Sequence, residues 1–135
     1  MNLFEGENAV LPGKHLLVVE DEMMLVMLIE DWLGMLGCTA TTAASVEQAL
    51  ELAESEAFDG ALLDVNLGTE TSYPIAEKLD ELGIPFIFMT GYGVDMLRED
   101  YRDRPTVRKP FELDHFERLM AETFAEEGSE VSGEG

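Results

Sequence analysis

The stretch Gly60-Ala61-Leu62-Leu63-Asp64-Val65-Asn66-Leu67-Gly68 constrains the fold more than any other part of the chain. A continuous apolar run bounded by turn residues suits a strand covered on both faces, as in a parallel sheet. Asp64 then stands at the strand's carboxyl end. A carboxylate is costly inside an apolar strand but cheap at its mouth, where water, a cation or hydrogen-bond donors reach it. Open α/β sheets place their ligand crevice at that same edge. For a lone aspartate the plain alternative is a turn residue, so the other strand ends have to decide.

The pattern around this stretch alternates strand and helix. His15 to Val19 reads as a buried strand running into Glu20-Asp21-Glu22, and Met23 to Leu36 as a helix closed by Gly37. Cys38 to Ala43, rich in Thr, reads as a second, edge strand. Ser45 and Gln48 form a capping box opening a helix to about Glu54. The Asp64 strand follows, then a loop from Asn66 to Ser72 and a helix from about Pro74 to Gly83. Pro85 to Thr90 is a fourth strand, Gly91-Tyr92-Gly93 a turn, and Val94 to Tyr101 a weak, highly charged helix. Thr106 to Lys109 is a short fifth strand, and Glu112 to Ala125 a last amphipathic helix. Five βα units in a row imply an α/β fold, a parallel sheet with helices on both faces and right-handed crossovers. Residues 1–13 read as an N-terminal arm, with Leu3 and Phe4 as docking residues. Residues 14–126 form the domain, and 127–135 an acidic, disordered tail.

Composition narrows the function. Eight Lys and Arg against 29 Asp and Glu leave a formal charge of -21. Nucleic acid as a partner is disfavoured, because phosphate neutralisation needs a basic face, and anionic membrane is disfavoured likewise. Cys38 is the only cysteine, so no internal disulfide forms, and it reads as a small core residue. With no signal peptide and no spanning run, the cytoplasm is the expected location. His15 and His115 read as structural. Met23, Met24, Met27 and Trp32 read as packing residues of the first helix, with docking of a partner's helix by an exposed part as the alternative. Tyr92 is balanced between the rim of a site and a partner surface.

Four strand ends carry polar residues of definite type: Glu20-Asp21, Asp64, Thr90 and Lys109. Their spacings fit whole βα units of roughly 20 to 30 residues, so all fall on one edge of the sheet. Three crowded carboxylates call for a divalent cation, and oxygen-only ligands favour Mg²⁺. Lys109 is a point charge for Asp64 or for a phosphoryl oxygen, and Thr90 offers a hydroxyl. A carboxylate nucleophile, a metal and an ammonium together suit phosphoryl transfer.

With these residues in view, the sequence resembles a response-regulator receiver domain. The stretches Leu16 to Glu22, Leu62 to Leu67, Met89-Thr90-Gly91 and Val107 to Phe111 fall in that family's order, over roughly Lys14 to Phe124. The resemblance implies a flavodoxin-like (βα)5 fold with strand order 2-1-3-4-5. It makes Asp64 the acceptor of a phosphoryl group from a histidine kinase's phosphohistidine or from a phosphotransfer protein. Asp21 and Asp64 correspond to direct Mg²⁺ ligands, Glu20 to the acidic neighbour acting through water, and Asn66 to a backbone-carbonyl ligand. Thr90 and Lys109 correspond to the hydroxyl and ammonium that bind the aspartyl phosphate. Beyond self-phosphotransfer and slow self-dephosphorylation, no enzyme activity is implied.

Two departures stand out. Thr106 occupies the place, three residues before the lysine, where the family usually has Tyr or Phe. Pro85 to Gly93 resembles the Phe-x-Phe-x-Thr-Gly-Tyr-Gly stretch of the FAT GUY subclass, which is associated with kinases of the HWE/HisKA2 type. Switching is then expected to fall on the Gly91-Tyr92-Gly93 turn and the charged helix behind it. The expected role is a stand-alone receiver acting through protein binding, phosphate relay or phosphate-sink action. The rivals are an aspartate-nucleophile phosphohydrolase of the haloacid dehalogenase type and a pseudo-receiver that only binds partners. The first needs a second carboxylate two residues after the nucleophile, and that residue is Asn66.

Overall fold

A computed structural model of the chain describes residues 11–91 and 96–124. The expectations for Leu3 and Phe4, for Tyr92 to Asp95 and for the tail fall outside the described residues. The main sheet holds β1 (His15–Val19), β2 (Thr39–Ala43), β3 (Gly60–Asp64), β6 (Phe86–Thr90) and β7 (Thr106–Arg108). Between β3 and β6 lie two short strands, β4 (Asn66–Leu67) and β5 (Glu70–Thr71). The helices are α1 (Met23–Met35), α2 (Val46–Ser55), α3 (Tyr73–Leu82) and α4 (Leu113–Phe124). The sheet order is β2-β1-β3-β6-β7, all parallel. Counted within this sheet alone, that is the expected order 2-1-3-4-5, with β2 on the edge.

Alternation along the strands builds two apolar layers, because successive side chains point to opposite faces. Leu17, Val19, Leu63 and Phe88 face α2 and α3, packing with Ala49, Ala53, Ile75 and Leu79. Leu16, Val18, Leu62, Ile87 and Met89 face α1 and α4, packing with Ile29, Leu33, Phe116, Met120 and Phe124. β3 is buried along its whole length. That is what its unbroken apolar run requires. Leu11, 1% exposed, joins the second layer, and its N–H donates to the Leu36 carbonyl at 2.8 Å.

Ser45 caps α2 by accepting from the Gln48 N–H at 3.1 Å. The Gln48 side chain reaches back one residue further than a capping box requires, accepting from the Ala44 N–H at 3.1 Å.

Three expectations are corrected. The stretch from Asn66 to Ser72 is a small antiparallel hairpin, not a plain loop. Gly68, at φ +63°, takes the first position of its two-residue turn, where a side chain would be strained. The charged helix expected up to Tyr101 is, within the described residues, no continuous helix: Met96 is 3-10, Leu97 and Arg98 are non-helical, and a 3-10 turn follows at Glu99–Tyr101. Arg98 is extended there (φ -56°, ψ 140°), and its N–H donates to the Tyr73 hydroxyl at 2.8 Å instead of to a helical carbonyl. Finally, Met23, Met24 and Met27 are not packing residues. α1 buries Val26, Ile29 and Leu33 on one stripe and turns the methionines to solvent, Met24 being 77% exposed. Trp32 does pack, against Phe111 and Phe116.

Candidate functional site

Parallel register brings the carboxyl ends of β1, β3, β6 and β7 to one edge, and the polar residues sit at the last paired positions or just past them. Val19 pairs with Leu63, Asp64 with Met89, and Thr90 with Arg108. Glu20 and Asp21 leave β1, Asp64 and Thr90 close β3 and β6, and Lys109 leaves β7. The Val65 N–H donates to the Met89 carbonyl at 3.0 Å, and the Lys109 N–H to the Thr90 carbonyl at 2.7 Å. The lysine is thereby fixed to the strand that carries the threonine. The Lys109–Pro110 peptide is cis.

The side chains converge. Carboxylate oxygens of Glu20, Asp21 and Asp64 lie within 4.8 Å of one another. Lys109 Nζ bridges two of them, 3.0 Å from Glu20 Oε1 and 3.2 Å from Asp64 Oδ1. Glu20 is 2% exposed and Asp64 7%, whereas Asp21 is exposed. The second Glu20 oxygen accepts from the Glu22 N–H at 3.1 Å. Thr90 is 3% exposed, and Asn66 begins β4 on the surface.

Burial pushes both buried carboxyls up from their ordinary values. For Glu20, the bond from Lys109 opposes burial and the charge of Asp64 adds to it. For Asp64, Lys109 and the Asn66 N–H oppose burial without cancelling it, and the charge of Asp21 adds to the rise. Burial would lower Lys109, but its bond to Glu20 and the charges of Asp64 and Glu20 outweigh that and hold the ammonium above its ordinary value. Among the described residues, Lys109 thus bridges two of three clustered carboxylates. An all-oxygen set with surplus negative charge, partly open through Asp21, fits a hard divalent cation such as Mg²⁺.

Beside this cluster runs an open groove of about 720 Å³. Met24, Leu25 and Leu28 of α1 form one wall, Pro110 and Phe111 the other, and Lys109 lies at its end. Glu22 and Asp31 make its rim acidic.

The model of the family described as "Response regulator receiver domain" matches residues 16–121. The chain belongs to that family. This receiver domain is 30% identical over 107 residues to the response regulator SaeR of Staphylococcus epidermidis, covering 72% of the chain and 44% of SaeR. It spans less than half the length of the curated relatives it matches. Among solved structures it resembles SdrG from Sphingomonas melonis, with 41% identity, a TM-score of 0.73, and 84% of this chain and 96% of that one covered. It also resembles the response regulator PhyR from Brucella abortus, with 30% identity, a TM-score of 0.75, and coverage of 90% and 52%.

Every residue that the sequence assigned to the site lies at this edge. Two features were not foreseen. Glu20 pairs directly with Lys109, and the exposed side of α1, weighed above as a docking alternative, lines an open groove with Pro110 and Phe111. The signal for the groove was in the sequence: α1 is apolar on more faces than one packed layer can cover.

Proposed function

We propose that this receiver accepts a phosphoryl group on Asp64 in a two-component phosphorelay. The Lys109 ammonium, held between Glu20 and Asp64 beside Asp21, is the observation that carries the reading. An Asp64 oxygen attacks phosphorus, the bond to the donor imidazole breaks, and the imidazole leaves with the electron pair. Lys109 trades its contact with Asp64 for a phosphoryl oxygen, and the Thr90 hydroxyl donates to another. Asp21, Asp64 and the Asn66 carbonyl would hold Mg²⁺, with Glu20 acting through water, and the bound ion supplies neutralising charge to the phosphoryl oxygens. Phosphorylation adds about -1.5 to -2 charges at the edge, which a two-state element then reads out.

The donor is a histidine kinase or a phosphotransfer protein, and the groove on α1 supports docking of its phosphohistidine-bearing helix. The acidic rim favours a partner with basic residues flanking an apolar ridge. Kinases of the HWE/HisKA2 type fit the FAT GUY resemblance of Pro85 to Gly93. We place the protein in the cytoplasm, acting through protein binding, phosphate relay or phosphate-sink action. Mg²⁺-dependent transfer of label from a phosphorylated kinase tests the assignment. Asp64→Asn abolishes labelling, whereas Lys109→Ala still takes label and weakens the downstream response. Persistent label on the Asp64→Asn protein would refute the assignment.

A further inference from the structure

Away from the acidic edge, the connection between β6 and β7 is tied to α3 by an aromatic and arginine cluster. Tyr73, Glu77 and Asp80 form one stripe of α3, at spacings of four and three. The Tyr101 ring, 3% exposed, lies flat against Tyr73 with centroids 5.8 Å apart and meets Phe88 edge-on at 5.4 Å. The Arg98 guanidinium lies 4.9 Å from the Tyr101 centroid and 5.1 Å from that of Tyr73. Arg104 lies 5.1 Å from the Tyr101 centroid and forks onto Asp80 at 3.0 and 2.8 Å. The aromatic place beside Phe88 is thus filled from the connection and not from β7, where Thr106 donates its hydroxyl to the Arg104 carbonyl at 3.0 Å.

The cluster has a fixed part and a releasable part. Tyr101 and Leu97 are sunk in the apolar layer that also holds Phe88. Arg98 instead forks onto Asp100 at 2.8 and 2.9 Å and reaches Glu77 at 3.0 Å, and both carboxylates are exposed. Exposed pairs of this kind are individually weak and screened by salt, so Arg98 can let go without opening the core. Thr90 begins the same connection at the site edge. Phe88, two residues before Thr90 on β6, carries the Tyr101 ring, so a shift at the Thr90 end of β6 reaches Tyr101 and the Arg98 guanidinium stacked on it.

We propose that Arg98 and Tyr101, seated on the Tyr73–Glu77–Asp80 stripe, form a latch that restrains the Thr90 end of β6. Arg98 is the part that releases when an anion on Asp64 draws Thr90 toward it. The latch rests on the phosphoacceptor reading of Asp64, and its cost sets how readily the site takes the anion. Removing the restraint raises the population of the anion-competent conformer and tightens apparent affinity in proportion.

The test titrates beryllofluoride with Mg²⁺, following Trp32 fluorescence and amide shifts, in the wild type and in Arg98→Met. The methionine keeps an apolar stem and loses the fork. Half-saturation falls about fivefold in Arg98→Met, the size expected for losing a few exposed charge contacts. Hydrogen exchange at the Arg98 and Tyr101 amides speeds up. The double variant Glu77→Gln/Asp100→Asn, which leaves Arg98 in place, reproduces both effects, and Arg98→Lys restores part of the wild-type value. Normal beryllofluoride binding with an unchanged or raised half-saturation in Arg98→Met overturns the latch and leaves the phosphoacceptor reading standing. No binding by the wild type overturns that reading, and the latch with it.

Discussion

Replacing Lys109 by methionine removes the ammonium that bridges Glu20 and Asp64 while keeping most of the side chain's volume. At 3.0 Å from Glu20 and 3.2 Å from Asp64, each contact is worth roughly 5 kcal/mol gross at an effective dielectric of about 20. Much of that returns, because burying the lysine itself costs solvation. Removing one member of a buried charge pair costs about 3 to 5 kcal/mol in practice. Lys109 keeps about a fifth of its side chain in water, so the lower end applies, about 3 kcal/mol at pH 7. For a domain of this size that lowers Tm by about 10 °C.

The pH dependence separates charge from packing. Glu20 and Asp64 are already raised by burial, with Lys109 opposing the rise. Without Lys109 they rise further. A carboxyl raised in the folded state costs nothing below its unfolded value, about 4. It destabilises progressively as pH climbs through the folded value. Lys109, raised in the fold, stabilises fully below its own ordinary value of about 10.4. The lysine stays charged throughout this range, so the carboxyls set the window: the loss is smallest at pH 4 and grows as pH rises toward 7. Urea unfolding of both proteins in EDTA at pH 4, 5.5 and 7 measures it, and millimolar Mg²⁺ at pH 7 restores part of the stability. An equal loss at every pH would show that the lysine acts through its stem and refute the electrostatic account.

Other parts of the fold give independent checks. A methyl group at position 60 would run into the Phe124 ring, so Gly60→Ala costs about 1 to 3 kcal/mol in urea unfolding. A Phe124→Leu background relieves part of that cost. Burial and the Asp59 charge push the Cys38 thiol up to about 11. It stays silent to an aromatic disulfide reagent at pH 8 and reacts on addition of denaturant; immediate reaction in the native protein would contradict its burial. Bonds from Thr41 and His15 hold the Glu56 carboxyl below its ordinary value. Glu56→Gln is therefore less stable than the wild type at pH 7. The difference vanishes as pH falls through the folded value of Glu56, which melting curves from pH 7 down to pH 3 read directly.

The five strands were legible because each is a short apolar run between turn residues. The site was legible because whole βα units separate Glu20, Asp21, Asp64, Thr90 and Lys109. Segments decided by long-range partners were less legible. Nothing local in Met96 to Tyr101 announces that the Arg98 N–H finds the Tyr73 hydroxyl 25 residues away. That bond, with the Tyr101 ring on Tyr73, competes against a helix that charge pattern alone suggested. The methionines of α1 were misread for a related reason. Periodicity shows that a helix has apolar positions, but only the packed neighbours show which of them are covered.

By itself, then, the sequence determined the alternating α/β architecture, the strand that carries Asp64 and the edge on which its polar companions fall. Strand period, turn chemistry and unit length are local properties. Only the tertiary structure decided that Lys109 is shared between Glu20 and Asp64, that α1 leaves an acidic-rimmed groove beside them, and that Tyr101 fills the place beside Phe88. Those arrangements depend on distances between residues far apart in the chain, and packing alone sets them.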